Sequence, residues 1–121
     1  MIDSNNLWKT LDSKTLNTHY VLEVFGENCG YCKQFKPDWD KLAEEFNDNP
    51  DAEFDDIMIS LMNGNKEKIA GQKYGVRAFP TLLYFVPGNG MYKYQFEGPR
   101  SYENVRNWIL DCRRKEAGNK K

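Results

Sequence analysis

The sequence of 121 residues is poor in the side chains that build metal sites and disulfide frameworks. It has three cysteines and one histidine. An odd number of cysteines excludes a fully paired disulfide framework within this chain. A zinc site usually takes four cysteine or histidine ligands in closely spaced pairs. Beyond the one cysteine doublet, only Cys112 and His19 remain, and neither has the spacing of a ligand.

Long apolar runs and an excess of one charge are also missing. No run approaches the roughly 20 apolar residues that span a bilayer, so we expect no membrane segment. The 17 basic and 18 acidic side chains leave a formal net charge of -1, which argues against a nucleic-acid partner. The opening residues M-I-D-S-N-N-L-W-K lack the basic and apolar regions of a signal peptide. We therefore expect either a cytoplasmic protein or one whose signal has been removed.

The chain does have enough apolar material for one domain. Hydrophobic residues make up 40% and aromatic residues 14%, which suits a single core at this length. We predict one domain over residues 1–121, with a core from about residue 7 to 112 and a tail or linker at 113–121. Trp8 and Cys112 are both expected in the core, where a free cysteine behaves as a small hydrophobe.

Hydrophobic periodicity predicts alternating strands and helices. After an element before His19, the predicted order is a strand at 19–25, a helix from Gly30 to about Asn47, a strand at 54–61, a helix at 66–74, a strand at 81–86, a turn at 87–90, a hairpin strand at 91–96 and a helix capped by Ser101. This order implies an α/β fold with a central mixed sheet and helices on both faces.

The side-chain spacing also predicts which residues share a face. The first helix should bury Tyr31, Phe35, Trp39, Leu42 and Phe46. The hairpin strand should place Tyr92, Tyr94 and Phe96 on one side. The last helix should bury Val105, Trp108, Ile109 and Cys112.

The stretch C-G-Y-C at residues 29–32 lies where the first strand passes into the first helix. Unpaired N–H groups at a helix N-terminus stabilise an anion and lower the pKa of a cysteine there. Cys29 should be the exposed, attacking thiol, and Cys32 the more buried one. A structural disulfide is the main alternative, but closing so short a loop removes little entropy from the unfolded chain. A redox pair is the favoured interpretation.

Three stretches in the same order resemble one known superfamily. They are V-L-E-V-F-G-E-N-C-G-Y-C-K-Q-F-K-P, Y-G-V-R-A-F-P-T-L and F-E-G-P-R-S-Y-E-N-V-R-N-W-I. Together they resemble the thioredoxin superfamily, most of all a catalytic domain of the protein disulfide isomerase family. The resemblance implies a thioredoxin fold and a thiol–disulfide oxidoreductase or isomerase.

The resemblance also implies partners and a compartment. The substrates would be unfolded or misfolded polypeptides that contain cysteine, and glutathione or an upstream oxidase would exchange electrons with the pair. No metal or organic cofactor is needed, since the cysteines carry the electrons. The compartment implied is the endoplasmic reticulum lumen, with the cytoplasm as the alternative.

Residue roles follow from the same resemblance. Cys29 matches the nucleophile and Cys32 the resolving thiol. Glu23 matches a buried carboxylate that takes the proton from the resolving thiol. Arg100 matches an arginine that lowers the pKa of the resolving thiol.

The predicted substrate contacts are Tyr31, Phe79 and Pro80. Pro80 matches the family's cis-proline, and the backbone of Phe79 would pair with the substrate as a strand does.

Two positions depart from the isomerase pattern. Asn28 replaces the usual tryptophan, and Tyr31 replaces the usual histidine. A tyrosine carries no positive charge near neutral pH, and Glu27 opposes the thiolate. We therefore expect a less oxidising pair. A cytoplasmic thioredoxin-like reductase and a redox-inert binding or chaperone module remain as alternatives.

The substitution Tyr31→His should make the protein a stronger oxidant. A partly protonated imidazole beside Cys29 would stabilise the reduced, anionic form and leave the disulfide form untouched. An interaction of about 1.4 kcal/mol would raise the reduction potential by about 30 mV. Glutathione redox titrations of both proteins at neutral pH measure this shift. An unchanged or lower potential would mean that Tyr31 does not set the redox poise.

Overall fold

The computed structural model describes residues 18–48, 54, 56–89 and 91–118. The elements follow the predicted order. They are β1 (His19–Phe25), α1 (Gly30–Asn47), β2 (Ile57–Asn63), α2 (Lys68–Lys73), β3 (Thr81–Phe85), β4 (Tyr92–Gln95) and α3 (Tyr102–Gly118). The element expected before His19, the start of the core near residue 7 and the core position of Trp8 lie outside the described residues.

The four strands form one mixed sheet in the order β2-β1-β3-β4. β1 pairs with β2 in parallel and with β3 in antiparallel, and β4 pairs with β3 in antiparallel. β1 is therefore hydrogen-bonded on both sides, which suits its nearly continuous apolar sequence. The C-G-Y-C stretch follows this central strand after a short loop, residues 26–28.

Helices cover both faces of the sheet, as predicted. Successive side chains of a strand point to opposite faces. Val21 of β1 packs with Trp39 of α1 and Ile109 of α3. Leu22 and Val24 point to the other face, where Ala70 of α2 packs. By the same alternation, Glu23 shares a face with Val21 and looks toward α1.

The strands predicted at 81–86 and 91–96 are shorter in the structure, and two other elements also have different bounds. The strand expected at 54–61 is Ile57–Asn63, because its pairing with β1 runs from His19 to Phe25. The helix expected at 66–74 is the shorter Lys68–Lys73. The Asn63 side chain accepts hydrogen bonds from the backbone N–H groups of Asn65 and Lys66, which hold a turn before the helix.

α3 continues to Gly118, through the first part of the stretch predicted as a tail or linker at 113–121. Arg113 binds both carboxylate oxygens of Asp56 at 3.0 and 2.8 Å. Glu116 accepts hydrogen bonds from Lys93, at 2.8 Å, and from the Tyr94 hydroxyl. These contacts give the polar last turns of α3 partners on the sheet. Residues 119–121 lie outside the described part.

Two aromatic residues, Tyr31 and Tyr92, lie on a different face of their element from the one predicted. Tyr31 is 70% exposed, and Cys32 takes its place on the buried face of α1. Tyr94 pairs with Tyr84, but Tyr92 pairs with Phe85, so Lys93 is an extra residue in β4. This bulge turns Tyr92 to the α2 face, away from Tyr94 and Phe96.

The C-terminal end of α1 is fixed to the sheet by the side chain of Asn47. Its amide nitrogen donates to the Ile59 carbonyl at 3.0 Å, and its amide oxygen accepts from the Ile59 N–H at 2.9 Å. Asn47 thus gives the outward-facing backbone groups of β2 their partners. The helix that carries the cysteines is anchored at the end opposite to them.

The ring of Phe79 lies against two glycines. A Cβ atom on Gly26 would lie 2.4 Å from Cδ2 of Phe79. A Cβ atom on Gly64 would lie 2.4 Å from Cε1 of Phe79 and 2.9 Å from Cγ1 of Val24. Glycine at both positions therefore leaves the space that the ring fills.

Gly64→Ala should destabilise the fold by about 1–3 kcal/mol, because the new methyl group overpacks the ring of Phe79. Gly71→Ala is the matched control, since a Cβ there meets nothing within 4 Å. The control should stabilise α2 by up to about 1 kcal/mol. Urea unfolding measures both. Phe79→Ala should reduce the cost of Gly64→Ala to the part that arises from Val24, and a Gly64→Ala variant with unchanged stability would contradict this packing.

Candidate active site

Cys29 caps the N-terminus of α1. Its backbone is extended, and its sulfur accepts a hydrogen bond from the Cys32 N–H at 3.1 Å. The Cys29 carbonyl accepts from the Lys33 N–H at 3.2 Å. Sulfur therefore takes the place that a serine or aspartate oxygen usually has at a helix start. Such a donor, together with the helix dipole, favours the thiolate over the thiol.

Cys29 and Cys32 form a disulfide with 5.2 Å between their Cα atoms. Cys32 is buried, with 7% of its surface exposed, whereas Cys29 is partly exposed. This is the asymmetry expected from their places on the helix. The outer sulfur is open to a partner molecule, and the inner sulfur is within bonding reach of it.

Glu23 lies beneath the cysteine pair and is 2% exposed. It lines a pocket of about 300 Å³ together with Cys32 and Lys36. Burial, and after it the charge of Asp40, raise the pKa of the Glu23 carboxyl to about 7, and the charges of Arg100 and Lys36 act in the opposite direction. A carboxyl group with this pKa can both accept and release a proton near neutral pH.

Pro80 is buried, and the Phe79–Pro80 peptide bond is cis, as the sequence pattern predicts. The Phe79 side chain joins Cys29 and Tyr31 in the wall of an open pocket of about 550 Å³. The structure therefore brings the cis-proline loop to the same side of the molecule as the exposed cysteine.

Asn65 was not found from the sequence, although it lines the pocket beside Cys29. Its side-chain oxygen accepts a hydrogen bond from the Glu27 N–H at 2.6 Å. The Gly64 N–H donates to the Phe25 carbonyl at 2.8 Å. The turn after β2 thus holds the loop that leads to Cys29. The signal in the sequence was N-G-N directly after a strand.

Arg100 and Tyr31 are both exposed and line a third pocket beside α1. The charge of Arg100 acts on the buried Glu23 and lowers the pKa of its carboxyl group. Arg100 therefore lies near enough to influence the proton-accepting group. Its predicted effect on Cys32 stays a prediction.

Cys112 and His19 take no part in this site. Cys112 is free and 2% exposed, and burial raises the pKa of its thiol to about 12. Its predicted core position is confirmed. His19 is also buried, and its Nδ1 atom lies 3.0 Å from the Tyr84 hydroxyl. The two residues fill the interior rather than bind a ligand.

The described ranges contain no cluster of side chains suited to bind a metal ion and no helix suited to span a membrane. Nowhere in them do three or more histidine, cysteine, aspartate or glutamate side chains meet as a metal site requires. No helix in those ranges combines the length and apolar character needed to cross a bilayer.

Sequence comparison finds a family model and curated relatives. A protein-family model described as Thioredoxin matches residues 4–111. Bloodstream-specific protein 2 of Trypanosoma brucei brucei is 33% identical over 106 residues, which cover 83% of this chain and 20% of that protein. Protein disulfide-isomerase 2-3 of Arabidopsis thaliana is 32% identical over 79% of this chain and 20% of its own length. The chain spans about a fifth of the length of these curated relatives.

Solved structures show the same fold. The first thioredoxin domain of mouse Protein disulfide-isomerase A4 superposes with a TM-score of 0.70 at 22% identity, covering 91% of this chain and 71% of that one. Fasciola hepatica thioredoxin gives a TM-score of 0.67 at 21% identity, covering 86% of this chain and 89% of that one. With its cysteine pair at the start of α1, the chain belongs to the thioredoxin family.

Proposed function

We propose that the protein catalyses thiol–disulfide exchange on cysteine-containing polypeptides in oxidative protein folding, as a protein disulfide isomerase-like enzyme. The observation that carries this proposal is the Cys29 sulfur at the N-terminus of α1, with its hydrogen bond from the Cys32 N–H. That donor stabilises negative charge on Cys29 both when it attacks and when it leaves.

Exchange begins with the reduced pair. The Cys29 thiolate attacks one sulfur of a substrate disulfide, a Cys29–substrate bond forms, and the other substrate sulfur leaves as a thiolate. Cys32 then attacks the Cys29 sulfur, and the substrate sulfur leaves. Two electrons pass from the protein to the substrate, and the protein disulfide is restored. The reverse sequence oxidises a substrate dithiol.

The second attack requires a deprotonated Cys32. Glu23 and Cys32 line the same pocket, which is large enough to hold water. The Glu23 carboxylate takes the Cys32 proton through such a water as the thiol attacks. The pKa of Glu23 near 7 suits this role, because both protonation states are then populated at neutral pH.

The direction of exchange depends on what surrounds the thiolate. Exposed Tyr31 adds no positive charge, and Glu27 lines the pocket beside Cys29. Both features favour a more reducing pair than one with histidine at position 31. They also support a second candidate function, that of a thioredoxin-like disulfide reductase.

The proposed partners follow from the same reaction. They are unfolded or misfolded polypeptides, with glutathione or an upstream oxidase to reset the pair. Phe79 would contact the substrate, since it lines the same open pocket as Cys29, and Pro80, joined to it by the cis peptide bond, is the second proposed contact. The proposed compartment is the endoplasmic reticulum lumen, on the resemblance to protein disulfide isomerases.

Replacing each of the two cysteines with serine in turn should distinguish their roles. Cys29→Ser should abolish insulin reduction in the presence of dithiothreitol, because nothing attacks the substrate. Cys32→Ser should accumulate mixed disulfides, because attack occurs but nothing resolves the intermediate. Non-reducing electrophoresis detects those adducts. Wild-type turnover in both variants would refute the role of the cysteine pair, whereas a wild-type protein that adds nothing to the rate of dithiothreitol alone would favour a redox-inert binding module.

Glu23→Gln should slow resolution of the mixed disulfide by about a hundredfold, because the proton acceptor is lost. In the wild-type protein the rate of this step should rise with pH and level off above about 7, where Glu23 becomes charged. The variant should lack that inflection. Quenched-flow measurement of mixed-disulfide decay gives both profiles, and identical profiles would exclude the role of Glu23.

The stability of the same variant is an independent check. The folded protein holds a proton on Glu23 up to about pH 7, whereas the unfolded chain loses it near 4.5. The unfolding free energy of the wild-type protein should therefore fall as pH rises through this window, by about 3 kcal/mol. Glu23→Gln should remove this loss. Urea unfolding at both ends of the window measures it.

A further inference from the structure

Phe79 lines two pockets. One is the pocket beside Cys29, and the other, of about 180 Å³, lies against α2. The second pocket is formed by the turn after β2, by α2 and by the approach to the cis-proline. Its lining residues are Gly64, Lys68, Gly71, Gln72, Val76 and Phe79. We name the two pockets together the Phe79 groove.

The α2 side of the groove carries positive charge. Four cations between residues 66 and 77 are exposed, namely Lys66, Lys68, Lys73 and Arg77. Glu67 is the one acidic residue of that stretch, and it is 7% exposed. The surface that a ligand would meet beside α2 is therefore cationic. Lys68 is the cation that lines the groove itself.

On its α2 side, the Phe79 groove has room for the backbone of an extended polypeptide. Gly71 lies in its wall, and a Cβ atom there would meet nothing within 4 Å. The absence of a side chain at this position leaves room for a backbone to pass. Phe79 and Val76 offer apolar surface between the reactive end at Cys29 and the charged end at Lys68.

We propose that a disulfide-bearing polypeptide lies along the Phe79 groove and that Lys68 selects substrates with acidic side chains near the reacting cysteine. The proposal rests on the thiol–disulfide exchange proposed above and names the substrate class of that site. A glutamate or aspartate beside Lys68 gains an exposed ion pair. Such a pair changes a rate or affinity by about two- to fivefold.

The test uses short peptides joined as symmetric dimers by one disulfide. One peptide has glutamates flanking the cysteine, and the matched peptide has glutamines. Reduced protein transfers two electrons to the dimer. Cys29 bonds to one peptide and releases the other as a thiol, and closure of the Cys29–Cys32 bond then releases the first. Single-turnover rates are read by chromatography of acid-quenched samples, with neutral hydroxyethyl disulfide as the small substrate.

The wild-type protein should react with the glutamate peptide about two to five times faster than Lys68→Gln does, and Lys68→Arg should match the wild type. The advantage should shrink at high salt, as expected for an exposed pair. Each comparison between protein variants uses the same peptide. Any effect of the glutamates on the reactivity of the peptide's own sulfur is therefore the same on both sides and cancels. Lys115→Gln makes the same charge change on α3 and should leave the rate unchanged.

Gly71 variants test whether the substrate polypeptide passes along the α2 side of the Phe79 groove. Gly71→Gln should slow both peptides because its side chain obstructs the groove, whereas Gly71→Ala should slow neither. Gly71→Glu should slow the glutamate peptide more than Gly71→Gln does. None of these variants should alter the rate with hydroxyethyl disulfide, which is too small to reach α2.

Equal rates for the wild-type protein and Lys68→Gln with the glutamate peptide would overturn the proposal. So would an equal loss with hydroxyethyl disulfide in the Gly71 variants. If the wild-type protein failed to react with hydroxyethyl disulfide, the exchange function itself would be refuted, and the two failures are thus distinguishable.

Discussion

The hydrogen bond from the Cys32 N–H to the Cys29 sulfur exists only where α1 begins, and much of the fold holds that point in place. The apolar face of α1 packs on the sheet through Phe35, Trp39 and Leu42. At its far end, Asn47 binds the backbone of Ile59. Because α1 is held along its length, its first turn presents the N–H donor in a fixed direction. The chemistry at the sulfur therefore depends on packing well away from it.

The central strand supplies the second constraint. β1 is paired on both sides, so each of its side chains must enter one of two cores. Glu23 enters the core beneath α1, where an apolar residue would stabilise the fold more. An acidic group there is disfavoured in its charged form, and this is what brings its pKa into the neutral range. The fold therefore loses stability at the position where the proposed reaction needs a proton acceptor.

The sequence was sufficient for the order of elements, the mixed sheet and the cysteine pair, because each has a local signal. Hydrophobic periodicity predicted β1 and α1. The change from a strand pattern to a helix pattern predicted that Cys29 lies at the start of a helix. Prediction from the sequence failed where contacts between residues far apart in the chain determine the structure. The bounds of β2 depend on its register with β1, and the facing of Tyr92 depends on an extra residue in β4. The last turns of α3 look like a polar tail until Asp56 and Lys93 are brought opposite them. Asn65 was missed because its hydrogen bond to Glu27 crosses between two loops.

The burial of Cys112 has a consequence for how the chain matures. In the folded protein the pairing of cysteines is unambiguous, since Cys29 and Cys32 are adjacent and Cys112 is enclosed by the core. In a newly made, unfolded chain all three thiols are open, and an oxidant could join any two of them. A bond from Cys112 to either partner would prevent α3 from packing as it does. Once the core closes around Cys112, that thiol is removed from further oxidation, and folding thereby protects the chain against mispaired disulfides.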